Sequence, residues 1–286
     1  MKPLSECQIA VVGLGLMGGS LAGALTQSGY RVSGVARRGE TIREALERGL
    51  IVEGDTDPLV IVPAADIVIL ATPVRTIIDQ IGDLGGALRP GCLLMDLGST
   101  KGQIVDAMQR LPEGIQPLGG HPMCGSEEAR LGAADPDLYR GASFILTPLE
   151  RTSAEAVEWG TALARSVGAF PIVLDAERQD RLVATLSHLP YLLACALVRT
   201  ADETTSLDPA AWRIVAGGYR DTSRVAGSDV SMMIDILQTN REPVLDAVRA
   251  LRAHLDRLTE MVDRSAEDEL RAALSACRDE RRRMFS

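Results

Sequence analysis

The chain has 286 residues, of which 46% are hydrophobic and 24% charged, and its formal net charge is −9 at pH 7. This composition is typical of a globular protein with one large or two ordinary domains, and it excludes a wholly disordered chain. An acidic chain without a dense basic tract is a poor binder of nucleic acid, so we expect no nucleic-acid partner. The five cysteines are widely spaced and form no C-x-x-C pair. We therefore expect no metal site and a cytoplasmic location.

Short apolar runs alternate with segments of helical spacing in the first half of the chain. The apolar runs predict strands at residues 8–12, 31–36, 66–71, 92–97, 116–119, 144–146 and 172–174. The segments between them predict helices at residues 16–28, 41–48, 74–84 and 101–110. Continuous apolar strands that alternate with helices indicate a parallel sheet covered on both faces. The sequence therefore predicts an α/β domain over residues 1–174.

Strand signals disappear after about residue 175, and helical spacing continues from there. Helices are predicted at residues 175–200, 208–216, 230–239, 241–260 and 266–282. The first of them is expected to kink near Pro190, which lacks a backbone N–H. Its apolar stretch at 182–198 is short for a membrane span and is interrupted by polar residues, so we expect a buried helix and no membrane partner. Residues 175–286 are thus predicted to form an all-α domain.

A glycine-rich segment, GLGLMGGS at residues 13–20, joins the first predicted strand to the first predicted helix. Gly13 permits a tight turn, Gly15 lets a pyrophosphate approach the backbone, and Gly18 lets the helix pack close to the strand. The N-terminus of the helix, with Leu16 and Met17 in its first turn, attracts phosphate groups. The segment predicts a Rossmann-type dinucleotide site. The alternative is a glycine-rich turn that binds no ligand.

The end of the second predicted strand indicates which dinucleotide binds. A site for NAD usually carries an acidic residue there, which holds the ribose hydroxyls. This chain has Arg37 and Arg38 instead. Because two guanidinium groups suit a 2′-phosphate, the sequence favours NADP, with NAD possible. The alternative is that one or both arginines are solvated residues at the start of a helix.

Two candidate catalytic residues follow predicted strands, at the edge where open α/β sheets bind ligands. His121 follows a pair of glycines that clear space, and Ser99 follows another strand and is placed to orient the imidazole. The alternatives are a structural histidine at a turn and an N-cap serine. Thr72 and Pro73 follow a third strand and are expected to form a wall on the nicotinamide side of the site.

Five motifs follow one another along the chain: GLGLMGGS at 13–20, DLGSTK at 96–101, HPMCGSE at 121–127, SHLP at 187–190 and GGYRDTSRVAGSD at 217–229. In these motifs, and in their order and spacing, the sequence resembles the prephenate/arogenate dehydrogenase family of tyrosine biosynthesis. The resemblance implies an NAD(P)-dependent oxidative decarboxylation of arogenate and/or prephenate, to tyrosine or 4-hydroxyphenylpyruvate. It also implies that the all-α domain binds substrate and forms a homodimer.

The resemblance also assigns roles to individual residues. His121 is the implied general base, and Arg224 the implied ligand of a substrate carboxylate. His188 belongs to a turn that the family places at the site, although a histidine on a largely apolar helix is more often a satisfied core residue. Many prephenate-type members have a second histidine where this chain has Tyr191. That change leans towards arogenate, whose ammonium group suits an acid such as Asp221.

Two other functions stay open from the sequence. A β-hydroxyacid dehydrogenase-like NADP oxidoreductase resembles the chain in GLGLMG and in the basic residues after the second strand. That group relies on a lysine in its helical domain, and this chain has no lysine after Lys101. A catalytically inactive nucleotide-sensing protein is the second alternative, and the joint presence of Ser99, His121 and Arg224 argues against it.

Overall fold

The computed structural model describes residues 3–125, 130–208 and 210–285. Ser126 and Glu127, the last two residues of the HPMCGSE motif, lie outside these residues. Contacts divide the chain into two compact units, Met1–Arg241 and Glu242–Ser286. The first unit holds the whole sheet and the helices described below up to residue 239, and the second holds most of the last two helices. The predicted boundary at residues 174/175 stays a prediction.

The first unit is built around one eight-stranded sheet. Its strands in chain order are β1 Gln8–Val12, β2 Arg31–Val35, β3 Glu53–Asp55, β4 Ile67–Leu70, β5 Leu93–Asp96, β6 Gln116–Pro122, β7 Ser143–Pro148 and β8 Phe170–Val173. Their order across the sheet is β3-β2-β1-β4-β5-β6-β7-β8. All neighbouring strands are parallel except β6 and β7, which are antiparallel. The predicted parallel sheet is confirmed, with this one antiparallel pair.

Helices cover the sheet because its central strands are apolar on both faces. They are α1 Leu16–Gln27, α2 Gly39–Glu47, α3 Pro58–Ile61, α4 Val74–Leu84, α5 Gly102–Met108 and α6 Ala154–Ser166. Strands β1, β4 and β5 contribute alternate residues to two separate buried clusters. Strands β1 to β6 run in the same direction and end at the same edge of the sheet, and that edge carries the glycine-rich turn and His121.

The second half of the chain is helical, as predicted. Its elements are α7 Ala176–Val183, a π-helical turn Ala184–His188, α8 Leu189–Thr205, α9 Gly217–Ser223, α10 Val230–Thr239, α11 Arg241–Asp263 and α12 Glu267–Met284. The π-helical turn lies just before Pro190, where the sequence predicts a kink. By length and composition alone, the segment Ala176–Thr205 could cross a membrane.

Two expectations about this half are wrong. Among the described residues of the predicted helix 208–216, only a 3₁₀ turn forms, Ala211–Arg213. The side chain of Asp208 accepts a hydrogen bond from the amide of Ala210 at 2.8 Å, and such local bonds compete with helix formation. The stretch 182–198 is also not buried within one chain, since Leu186 is 72% exposed.

Candidate active site

The glycine-rich turn forms a cradle that only glycine can line. Gly13 has a φ of +105°, and a Cβ there would lie 2.8 Å from the carbonyl oxygen of Ala71 and 2.7 Å from Cγ2 of Thr72. A Cβ on Gly18 would lie 1.9 Å from the carbonyl oxygen of Gly13. Gly15 occupies the N-cap position of α1, and no side chain there bonds the first amides of the helix. These amides are available to a pyrophosphate, so the residues present fit a dinucleotide.

The first turn of α1 and the residues that follow β4 lie next to this cradle. Leu16 is buried, whereas Met17 is half-buried and its carbonyl accepts a hydrogen bond from the hydroxyl of the fully buried Tyr139 at 2.8 Å. Thr72 adjoins Gly13 and donates a hydrogen bond to Gln80 Oε1 at 2.7 Å, and Pro73 is the N-cap of α4. Thr72 and Pro73 therefore lie after the carboxyl end of β4, beside the cradle.

Arg37 and Arg38 lie in the turn between β2 and α2, with Arg38 at the N-cap position of α2. Both residues are exposed, and neither forms an ion pair within the described part of the chain. The amide of Gly13 bonds the carbonyl of Val35 at 2.9 Å, which holds the glycine-rich turn beside the end of β2. Binding of a 2′-phosphate by these arginines stays a prediction.

His121 lies near the carboxyl end of β6 and is 8% exposed. Its Nδ1 lies 3.1 Å from Oε1 of Gln179, a buried residue of α7. The side-chain amide of Gln179 donates to Asp180 Oδ1 at 2.9 Å and to the carbonyl oxygen of Ser99 at 3.4 Å. Among residues 3–125, 130–208 and 210–285, His121 Nε2 has no hydrogen-bond partner. The imidazole is thus held on one side and available on the other.

Burial, and after it the nearby positive charge of Lys101, lower the pKa of His121 to about 3. The hydrogen bond with Gln179 acts in the opposite direction but is the weaker influence. The imidazole is therefore neutral at pH 7. A neutral imidazole with a free nitrogen is able to accept a proton, which is what a general base requires.

A buried ion pair lies beside His121 and was not predicted from the sequence. Asp96, at the end of β5, pairs with Lys101, and both side chains are fully enclosed. The carboxylate also accepts the amides of Gly98 at 2.7 Å and Gly120 at 3.1 Å. Burial raises the pKa of Asp96 and lowers that of Lys101, and in each case the partner's charge opposes the shift. The pair thus ties the backbone next to His121 to the loop that follows β5.

Ser99 contacts this network through its backbone. Its carbonyl accepts from Gln179, whereas its hydroxyl forms no hydrogen bond within the described residues. The alternative role of Ser99, as the N-cap of the next helix, is wrong, because α5 has Lys101 at its N-cap position. The carboxylate of Asp180 bonds the amides of Lys101 at 2.7 Å and Gly102 at 2.8 Å and so satisfies the start of α5 from another helix.

His188 is 1% exposed and lies at the end of the π-helical turn. Its Nδ1 lies 3.2 Å from the amide nitrogen of Asn240, which also donates to the carbonyl oxygen of Asp180 at 2.8 Å. Burial lowers the pKa of His188 to about 4. Both buried histidines therefore connect to Asp180, one through Gln179 and the other through Asn240. Neither amide residue carries a sequence signal, since each acts across a long separation in the chain.

The other predicted substrate residues lie on α8 and on the segment that packs against it. Tyr191 is half-buried in the first turn of α8, where partial burial and a hydrogen bond with Cys195 raise the pKa of its phenol. Arg224 begins a 3₁₀ turn, Arg224–Gly227, that packs on α8, and Asp221 is exposed on α9. Their roles in substrate binding stay predictions.

A glycine cradle at a helix N-terminus and a neutral histidine at the same edge of the sheet are the features of a dinucleotide-dependent dehydrogenase. The family model for the prephenate dehydrogenase nucleotide-binding domain matches residues 21–173, and that for its dimerization domain matches residues 175–276. The chain belongs to the prephenate dehydrogenase family. The predicted class of enzyme, a nicotinamide-dependent oxidative decarboxylase of tyrosine biosynthesis, is confirmed with it.

Individual relatives agree with the family models. The prephenate dehydrogenase of Bacillus subtilis is 33% identical, with 96% of this chain and 75% of the relative aligned. Prephenate dehydrogenase of A. aeolicus, solved with hydroxyphenyl propionate and NAD+, is 32% identical with a TM-score of 0.92, over 99% of this chain and 100% of that one. Arogenate dehydrogenase of Synechocystis is 30% identical with a TM-score of 0.85, over 97% and 100%.

The β-hydroxyacid dehydrogenase alternative is supported at the level of the fold alone. A 3-hydroxyisobutyrate dehydrogenase from Salmonella typhimurium has a TM-score of 0.61 but only 15% sequence identity, over 86% of this chain and 88% of that one. The shared architecture therefore does not carry the activity to this chain.

Proposed function

We propose that this enzyme oxidises and decarboxylates arogenate and/or prephenate with NADP favoured over NAD, and that His121 is its general base. The observation that carries the proposal is the state of His121: buried, neutral, held through Nδ1 and without a partner at Nε2 among the described residues. When bound, the nicotinamide accepts the hydride from the ring carbon that bears the hydroxyl group.

His121 Nε2 accepts the proton of that hydroxyl group, so the ring oxygen becomes a carbonyl as the hydride leaves. The bond between the ring and its carboxylate then breaks. Its electron pair stays in the ring, which becomes aromatic, and carbon dioxide departs. His121 returns its proton to the phenolate oxygen, so the histidine ends the cycle neutral and the atoms and charges balance.

The remaining residues bind and orient. The α1 N-terminus and the glycine turn would hold the pyrophosphate, while Arg37 and Arg38 would hold the 2′-phosphate through charge-assisted hydrogen bonds. Arg224 would bind a substrate carboxylate, because a guanidinium group fixes a carboxylate in one orientation. Tyr191 takes the place of a second cationic side chain, which supports a lean towards arogenate over prephenate.

We propose further that the enzyme is a cytoplasmic homodimer. Leu182, Leu186 and Leu193 expose apolar side chains along α7, the π-helical turn and α8 of a single chain. Obligate dimers cover such surfaces with a second copy.

Turnover of arogenate and prephenate, each with NAD and with NADP, tests the proposal directly. The highest kcat/KM is expected for arogenate with NADP. His121→Asn should keep cofactor binding and lower kcat by about 10²–10⁴-fold, the usual contribution of a general base. Near-normal turnover by His121→Asn would contradict the assignment of the base, and a higher kcat/KM with NAD would contradict that of the cofactor.

A further inference from the structure

The side-chain amide of Gln179 has only one orientation that its neighbours allow. Its nitrogen lies within hydrogen-bond distance of two acceptors, Asp180 Oδ1 at 2.9 Å and the Ser99 carbonyl oxygen at 3.4 Å. Burial raises the pKa of Asp180, while the amides of Gly102 and Lys101 and the charge of Lys101 oppose the shift. With Asp180 ionised, the reversed amide would bring its oxygen against both of these oxygens, and all three only accept hydrogen bonds. The amide oxygen of Gln179 must therefore face His121 Nδ1.

The acceptor that selects this orientation is itself fixed. Both oxygens of Asp180 accept backbone amides, those of Lys101 and Gly102, at 2.7 and 2.8 Å. Gln179 is completely buried, so its amide cannot turn to bond water instead. The orientation of Gln179 is thus set by the start of α5 through Asp180.

This orientation decides which imidazole nitrogen of His121 carries the proton. Because an amide oxygen only accepts, His121 Nδ1 must be the donor, and Nε2 keeps its lone pair. His188 shows the opposite arrangement. The amide nitrogen of Asn240 only donates, so His188 Nδ1 is the acceptor and Nε2 carries the proton.

We infer that Gln179 is a positioning residue that holds His121 in the Nδ1–H tautomer and thereby leaves Nε2 free to act as the base. The inference rests on the proposed role of His121. Neutral imidazole in water favours the other tautomer, with the proton on Nε2. An unsupported His121 would therefore present a proton to the substrate hydroxyl instead of a lone pair.

The tautomer is measurable by ¹⁵N NMR of the full chain labelled at histidine, because the protonated and unprotonated ring nitrogens have distinct shifts. The chain has three histidines, and His121→Asn identifies the signals of His121. At pH 7 we expect Nδ1–H for His121 and Nε2–H for His188. A native His121 with its proton on Nε2 would overturn the inference without any variant being needed.

Gln179→Met keeps the length of the side chain and removes its acceptor. We expect His121 to shift towards Nε2–H and kcat to fall about 10²-fold, with little change in KM or in the dissociation constant of the cofactor. Gln109→Met, at an exposed position, is the matched control.

An unchanged tautomer or an unchanged kcat in folded Gln179→Met would overturn the inference. The NMR measurement does not depend on turnover, so its result stands apart from the test of the base. Normal turnover by His121→Asn would refute the proposed function even if His121 holds the expected tautomer.

Discussion

Two properties set the protonation of His121: enclosure by protein keeps the imidazole neutral, and a hydrogen bond with an amide commits one of its nitrogens. Enclosure removes water that would stabilise the imidazolium, and Lys101 adds a like charge nearby. The second buried histidine, His188, also contributes to the low pKa of His121. The charge state of the base is thus set by its surroundings.

These surroundings predict an unusual pH dependence. A histidine with its ordinary pKa of about 6.5 would be neutral in only about 3% of molecules at pH 5. Because the pKa of His121 is lowered to about 3 in the free enzyme, kcat/KM should stay within about twofold between pH 7 and pH 5. A fall in kcat/KM of about 25-fold over that range would show that His121 titrates normally.

The ion pair between Asp96 and Lys101 makes a prediction about stability. Lys101→Met leaves the Asp96 carboxylate buried without its charged partner, which typically costs about 3–5 kcal/mol in the free energy of unfolding. The double variant Asp96→Asn with Lys101→Met removes both charges and should be less destabilised than Lys101→Met alone. Urea unfolding of the three proteins measures both effects. Equal destabilisation by the two variants would contradict the pairing argument.

Arg224 is the predicted ligand of a substrate carboxylate. Arg224→Ala should raise the KM of the substrate by about 10- to 150-fold, since a hydrogen bond to a charged group contributes about 1.5–3 kcal/mol. The dissociation constant of the cofactor should stay almost unchanged. Arg213→Ala, at an exposed arginine of a neighbouring turn, is the control. Parallel weakening of cofactor and substrate would indicate a folding role for Arg224.

At the scale of elements, the turn between β2 and α2 is predicted to select the cofactor. Ala36→Asp combined with Arg37→Ser supplies a carboxylate and removes one guanidinium group. The kcat/KM with NADP should fall by about 10- to 150-fold, and that with NAD should rise. Arg43→Ser, on the exposed face of α2, should leave the ratio unchanged. An unaltered preference in the double variant would contradict the predicted 2′-phosphate site.

The elements that the sequence predicted well are those with a strong local signal. The bounds of β1, α4 and α10 match the predicted residues, because apolar runs and helical periodicity end there at turn-forming residues. β3 has only three residues, Glu53–Asp55, at the sheet edge and carries no apolar pattern. α6 was not predicted, although the sequence carries a signal for its start. Ser153 is its N-cap and accepts a hydrogen bond from the amide of Ala156.

The residues of the candidate site also differ in whether the local sequence predicts them. His121, Ser99 and the glycine turn were predictable, because each follows a strand at the ligand-binding edge of the sheet. Gln179 and Asn240 were not, because their partners lie 58 and 52 residues away in the chain. The alternative role of Ser99 as the cap of α5 fails for the same reason, since Asp180 accepts the first amides of α5 from another helix.

At the scale of the whole molecule, the exposed apolar face of α7, the π-helical turn and α8 predicts a dimer. Sedimentation equilibrium at micromolar concentration should give twice the mass of one chain. Leu186→Glu places a charge at a side chain that is 72% exposed in one chain and should produce monomers. Leu59→Glu, at an exposed leucine of α3, should leave the dimer intact. A monomeric native enzyme with full activity would refute the prediction.

The opposite tautomers of the two buried histidines have a thermodynamic consequence. Each imidazole already has the proton arrangement that its amide partner dictates, and neither takes up a further proton near neutral pH. Arrival of the substrate therefore need not release or capture protons through these two groups. By linkage, the contribution of both histidines to substrate affinity is independent of pH between pH 6 and 8. An enzyme of this design moves a proton through His121 in every turnover, yet its two buried histidines add no pH dependence to the binding step.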